Sequence, residues 1–133
     1  MPFDIQIRKA DKLILARIWG RLDNELFTNY ILATEGYAPI PEDYRLLLVF
    51  DEETRLELDT SLIRELARRP PVFSAESTRV VVATEDLAFG LSRIYIAESR
   101  FSGDLYVIVR TLEAAADVLN IDVNALDSLQ WQV

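Results

Sequence analysis

The residues from Arg45 to Ala83 read RLLLVFDEETRLELDTSLIRELARRPPVFSAESTRVVVA. Two apolar runs, Arg45 to Phe50 and Thr78 to Ala83, bracket one amphipathic segment. An unbroken apolar run predicts a strand buried on both faces, as at the centre of a sheet covered by helices. Between the runs, Leu62, Ile63, Leu66 and Ala67 recur at helical spacing. Asp59 or Thr60 offers an N-cap, Arg68 and Arg69 suit the carbonyl end of the helix, and Pro70-Pro71 stops it. Strands alternating with helices predict a largely parallel sheet with right-handed crossovers.

Working towards the N-terminus, Phe3, Ile5 and Ile7 alternate with polar neighbours, the period of a half-buried strand. Asp11-Lys12 signals a turn, and Leu13 to Trp19 is a second strand, so the two form an antiparallel hairpin that Gly20 ends. Asp23 or Asn24 caps a helix with Leu26, Phe27, Tyr30, Ile31 and Thr34 on one face; Gly36, Pro39 and Pro41 close it. Towards the C-terminus, Thr84 is the expected cap of a third helix with Leu87, Ala88, Leu91, Ile94 and Tyr95 inward. Leu105 to Val109 is a fifth strand, and Thr111 caps a fourth helix, Leu112 to Leu119. The expectation is an α/β fold of the order β-β-α-β-α-β-α-β-α, a mixed, mainly parallel sheet of about five strands with four helices. One domain spans residues 1–133, with 122–133 a candidate C-terminal extension.

Composition narrows the chemistry. The 133 residues carry 14 basic and 22 acidic side chains, a net charge of −8 that repels phosphate backbones and argues against nucleic-acid or anionic-membrane partners. The chain contains no cysteine and no histidine, which excludes disulfides, thiolate chemistry and the commonest general base and metal ligand. No cofactor is implied, and the four glycines are not spaced as a phosphate-binding loop. An enzyme here would rely on carboxylates, Lys, Tyr or backbone groups. A carboxylate-only hydrolase is thus the remaining catalytic alternative to a non-catalytic protein. The N-terminus has no apolar core of a signal peptide, and no apolar run is long enough to span a bilayer. A cytoplasmic location without membrane insertion is expected.

Two stretches carry a family resemblance. Asp51, Asp59, Thr60 and Ser61 resemble the stretch of STAS-fold anti-sigma-factor antagonists in which an Asp follows a buried strand, a second Asp lies eight residues on, and hydroxyl residues open a helix; Leu62 stands where that family has Gly. Val81-Val82-Ala83 with Leu87-Ala88-Phe89-Gly90-Leu91-Ser92-Arg93-Ile94-Tyr95 is similar to the third-helix region of the bacterial SpoIIAA-like group, related to STAS and CRAL-TRIO domains. The Tyr106 to Val109 strand and the Glu113-Ala114-Ala115 helix fit as well. The resemblance implies a regulatory module that binds a protein partner through the loop and start of the second helix. Alternatively, it implies a carrier or sensor of a small apolar, lipid-like ligand.

Four candidate sites follow. Ser61, with Thr60, is a candidate phospho-switch, since phosphorylation adds about −1.5 to −2 charges at a helix start; the plain alternative is N-terminal capping. Asp51, Glu52, Glu53 and Asp59 form a candidate docking loop at the carboxyl end of a central strand, where open α/β sheets bind ligands. Their oxygens could also hold magnesium, against the simpler reading of a solvated acidic loop with no metal. Phe89, Gly90, Arg93 and Tyr95 mark a candidate pocket, the helical Gly suggesting close approach of a neighbour or ligand, or tight helix-on-sheet packing. Leu126, Leu129, Trp131 and Val133 would seal a homodimer or pack on their own domain. Arg64, Arg68 and Arg69 are most simply a solvated helix face.

Overall fold

The computed structural model describes residues 3–51, 54–74, 76–99, 105–122 and 124. The alternating N-terminal segment forms β1 (Phe3–Arg8), which pairs antiparallel with β2 (Leu13–Ile18), Phe3 opposite Ile18 and Arg8 opposite Leu13. The apolar runs become β4 (Arg45–Phe50) and β6 (Arg79–Ala83), and β7 (Tyr106–Val109) completes a five-stranded sheet of order β1-β2-β4-β6-β7. All pairs except the first hairpin are parallel. The helices are α1 (Asn24–Glu35), α2 (Thr60–Ala67), α3 (Asp86–Glu98) and α4 (Leu112–Leu119). The core order is the expected one. Two three-residue strands, β3 (Arg21–Asp23) and β5 (Arg55–Glu57), add a small parallel sheet that the sequence reading left within loops.

Strand order dictates the layers. From β2 to β4, β6 and β7 the chain adds strands in one direction, so each right-handed crossover drops its helix on the same face. Phe27, Tyr30 and Ile31 of α1, Ile63 and Leu66 of α2 and Ala88 of α3 accordingly share one core with Ala16, Ile18, Leu48, Val81 and Ala83. α4 follows the last strand, has no crossover to complete, and takes the opposite face, where Ala115, Ala116 and Leu119 cover Leu13, Leu15, Leu47, Val80 and Val82. The short side chains of Ala115 and Ala116 let this helix lie close to the sheet. No helix among the described residues is long and apolar enough to cross a membrane.

The caps match the sequence at two helices and differ at two. Asp23 accepts from the Leu26 amide and Thr111 from the Ala114 amide. α3 is entered from Glu85 instead of Thr84, because the Thr84 hydroxyl donates to the Arg110 carbonyl at 2.9 Å. α2 is entered from Asp59, whose carboxylate does not cap it. Leu87, expected inward, is 56% exposed: the buried line of α3 runs through Ala88 and Ser92, and Leu87 sits one residue, about 100°, off it. The tail residues Leu126, Leu129, Trp131 and Val133 lie outside the described residues.

Candidate functional site

Side chains at alternate positions of a strand share a face. Arg79 therefore points with Val81 and Ala83 towards α1, α2 and α3, and the register sets it in one row with Leu46 and Tyr106 at the amino ends of three parallel strands. Above this row, α3 presents Ala88 and Ser92 to the sheet. Two small residues one turn apart fail to fill the space over Val81, and a cavity of about 120 Å³ results. Phe27, Leu48, Phe50, Ile63, Leu66 and Val81 make most of its wall apolar. Among the lining residues only Arg69, Pro70 and Pro71 are exposed, which puts its mouth beside the segment that follows α2.

The lining also carries polar groups, Arg79 among them. Arg79 is 5% exposed, and its guanidinium stacks on the Tyr106 ring, 4.6 Å from the centroid. Burial lowers its pKa, yet an arginine starts so high that it stays protonated. Cation–π stacking offsets part of the cost of burying it, by up to about 2 kcal/mol when desolvated. Thr34 and Glu35 of α1 and Ser99 at the end of α3 line the cavity as well. The three tyrosines here respond in the opposite sense. Burial raises the pKa of Tyr30 and Tyr106 and pushes Tyr95 up to about 12, so all three remain neutral phenols at pH 7.

Glu35 is the carboxylate among the described lining residues, and it is engaged. Arg69 Nε donates to its Oε2 at 2.6 Å and Arg69 Nη2 to its Oε1 at 2.7 Å, clasping α1 to the end of α2 across the rim. This guanidinium holds Glu35 below the usual carboxylate range. A carboxyl depressed in the folded state stabilises the fold above its unfolded pKa, and the contribution disappears as pH falls through the folded value. Glu35→Gln should therefore cost about 0.5 kcal/mol at pH 7, since the pair is partly exposed. The gap in melting temperature between variant and wild type should shrink steadily below pH 4.5. A gap that is constant with pH would show that the pair contributes nothing.

The sequence-derived candidates are placed differently. Of the third-helix set, Tyr95 lines the cavity, whereas Phe89, Gly90 and Arg93 do not. They lie off the inner line of Ala88, Ser92 and Tyr95: Phe89 carries the Arg110 guanidinium 4.1 Å above its ring, and Arg93 is exposed. Gly90 makes no close approach, because a Cβ there would meet nothing within 4 Å. Gly90→Ala should then stabilise the protein by about 0.5–1 kcal/mol by restricting the unfolded chain, read as a rise in melting temperature; a fall would reveal a contact on this face.

At the carboxyl end of the sheet, the described residues of the acidic loop are paired. Asp51 accepts from Arg17 Nη2 at 2.6 Å, Thr54 donates to the Ile18 carbonyl at 3.0 Å, and Arg21 pairs with Glu57. Asp59 exchanges two 3.0 Å bonds with the Asn24 side chain, joining the starts of α1 and α2. Glu52 and Glu53 lie outside the described residues. The depression at this edge, beside Asp51 and Thr54, is about 30 Å³, room for little more than a water. Among the described residues no three carboxylates cluster as a metal site. Thr60 and Ser61 are exposed at the start of α2. Arg68 and Arg64 both reach Glu98 of α3, and Arg69 reaches Glu35, so this face is cross-linked by charge and is not simply solvated.

The residue that sequence reasoning missed is Arg79. Its signal was its phase: an arginine two residues before Val81 and four before Ala83, in a strand buried on both faces, has to point into a core. Compared with family models, with curated proteins and with solved structures, the chain finds no match in any of the three.

Proposed function

We propose that this protein is a non-catalytic binding module, on a STAS-like scaffold, that takes up a small and largely apolar molecule between α1–α3 and the sheet. The observation that carries the reading is the cavity of about 120 Å³ with one rim at the surface. Its size bounds the occupant. An apolar cavity of about 150 Å³ accepts benzene, so the ligand is of single-ring or short branched-chain scale, smaller than the lipid-like molecule suggested by the family resemblance. The titratable lining groups favour binding over turnover: Glu35 is held ionised and paired, and the tyrosines are held neutral. Among the described lining residues, neither Glu35 nor these tyrosines are poised near neutral pH for proton transfer. Benzene is the direct probe. At ten times its Kd it should stabilise the fold by about 1.4 kcal/mol and shift the methyl resonances of Leu48 and Val81. No change in either melting temperature or methyl shifts at millimolar benzene would overturn the reading.

The start of α2 supports a second reading, docking of a protein partner under control of Ser61. Its first amides receive no side-chain cap from Asp59, and Thr60 and Ser61 are exposed there. Phosphate would gain from those amides. Affinity purification from the native cytoplasm tests it: Ser61→Asp should lose partners that the wild type captures, and identical captures would dismiss it.

A further inference from the structure

We propose that the ion pair of Glu35 and Arg69 latches the entrance of this cavity and sets how fast a ligand enters and leaves, a proposal that rests on the cavity being a ligand site. α2 packs mainly on α3 and only slightly on α1. The void lies along that looser seam, lined by Phe27 and Ile31 from α1 and by Ile63 and Leu66 from α2. Side chains tie the seam at its two ends. Where the helices start, Asn24 and Asp59 exchange two bonds of 3.0 Å, and neither residue lines the cavity. At the far end Glu35, the last residue of α1, holds Arg69, and both of these line it.

The second tie opens without unfolding a helix. Arg69 lies beyond the end of α2, and the pair is held by side-chain atoms alone, so rotation of the two side chains separates it. Pro70 and Pro71, the other exposed lining residues, have no N–H with which a backbone bond would fasten this stretch. The chain is anchored again at Phe73, which is buried against Ile14 and Leu46. Water reaches both partners, whose side chains are 25% and 43% exposed, and takes over their hydrogen bonds when the pair parts. Such a pair favours its closed state only modestly. The entrance is therefore closed for most of the time and opens readily.

Relaxation-dispersion NMR on the methyls of Leu48 and Val81, recorded on the full chain with benzene, reads the entry and exit rates. Glu35→Gln should raise both rates by the same factor, about two- to fivefold, the range that exposed ion pairs allow. Arg69→Gln cuts the pair from the other side and should do the same. Glu98→Gln is the control. Glu98 joins α3 to Arg64 and Arg68 through similarly exposed bonds and does not line the cavity, so its loss should leave both rates at wild-type values. Rates unchanged in either pair variant, or raised as much by Glu98→Gln, overturn the latch while the apolar site stands. A change in the exit rate alone overturns it too, because it would make the pair a contact of bound benzene and not a gate. Absence of benzene binding to the wild type removes the site and the latch together. If one pair variant does not fold, the other decides.

Discussion

Leu47→Ala is expected to destabilise the protein by about 3–4 kcal/mol, in the middle of the range for burial lost together with a cavity created. Leu47 is fully buried in the central strand, with Leu15 and Val80 in register on either side and α4 above. Leu47 borders neither of the two cavities described above, and the alanines of α4 are too short to refill the hole. The melting temperature should fall by about 10 °C or more for a chain of this size. Leu48→Ala is the internal comparison. Leu48 points to the other face, where it already borders the cavity, so its truncation forfeits fewer contacts and should cost about 1–2 kcal/mol less. Equal costs at the two positions would mean that the cavity is closed in solution.

Ser92→Leu should abolish benzene binding with a change in stability of no more than about 1 kcal/mol in either direction. Ser92 is buried on the inner line of α3 and faces the cavity. Its replacement adds three carbons to a void of about 120 Å³ and removes a buried hydroxyl. Filling space that no other atom occupies avoids the overpacking that the same change would cause at Ala115 or Ala116. Binding is read by the benzene-induced methyl shifts and stability by denaturant unfolding. A Ser92→Leu protein that folds and still binds benzene as the wild type does would place the ligand elsewhere.

The features legible in the sequence share a cause: each arises from contacts that repeat along one segment. The RLLLVF and RVVVA runs became central strands because every side chain in them is apolar enough for one of two buried faces. The inward faces of α1 and α2 followed from helical spacing, and the caps at Asp23 and Thr111 from hydroxyl or carboxylate groups three residues before the amides they accept from. Less legible were features joined across about 30 residues or more. β3 and β5 are three residues each, too short to show a period, and pair Leu22 with Leu56, both packed into the core shared with α1, α2 and α3. The pairs Glu35–Arg69 and Arg68–Glu98 bring together residues that sequence reading assigned to separate helix surfaces. Gly90 misled because a glycine in a helix signals a missing side chain without showing whether anything fills the gap.

For the candidate site, composition and pattern determined the parts and tertiary structure determined where they meet. The absence of cysteine and histidine, the helix and strand faces, and the order of the five main strands and four helices were fixed by residue chemistry acting locally. The cavity was decided only by packing: Ala88 and Ser92 of α3 happen to lie over Val81, and Arg79 begins β6 beside Tyr106. A void is a property of the distance between two surfaces. That distance is set by the largest side chains across the whole interface, so no single segment carries it in its own sequence.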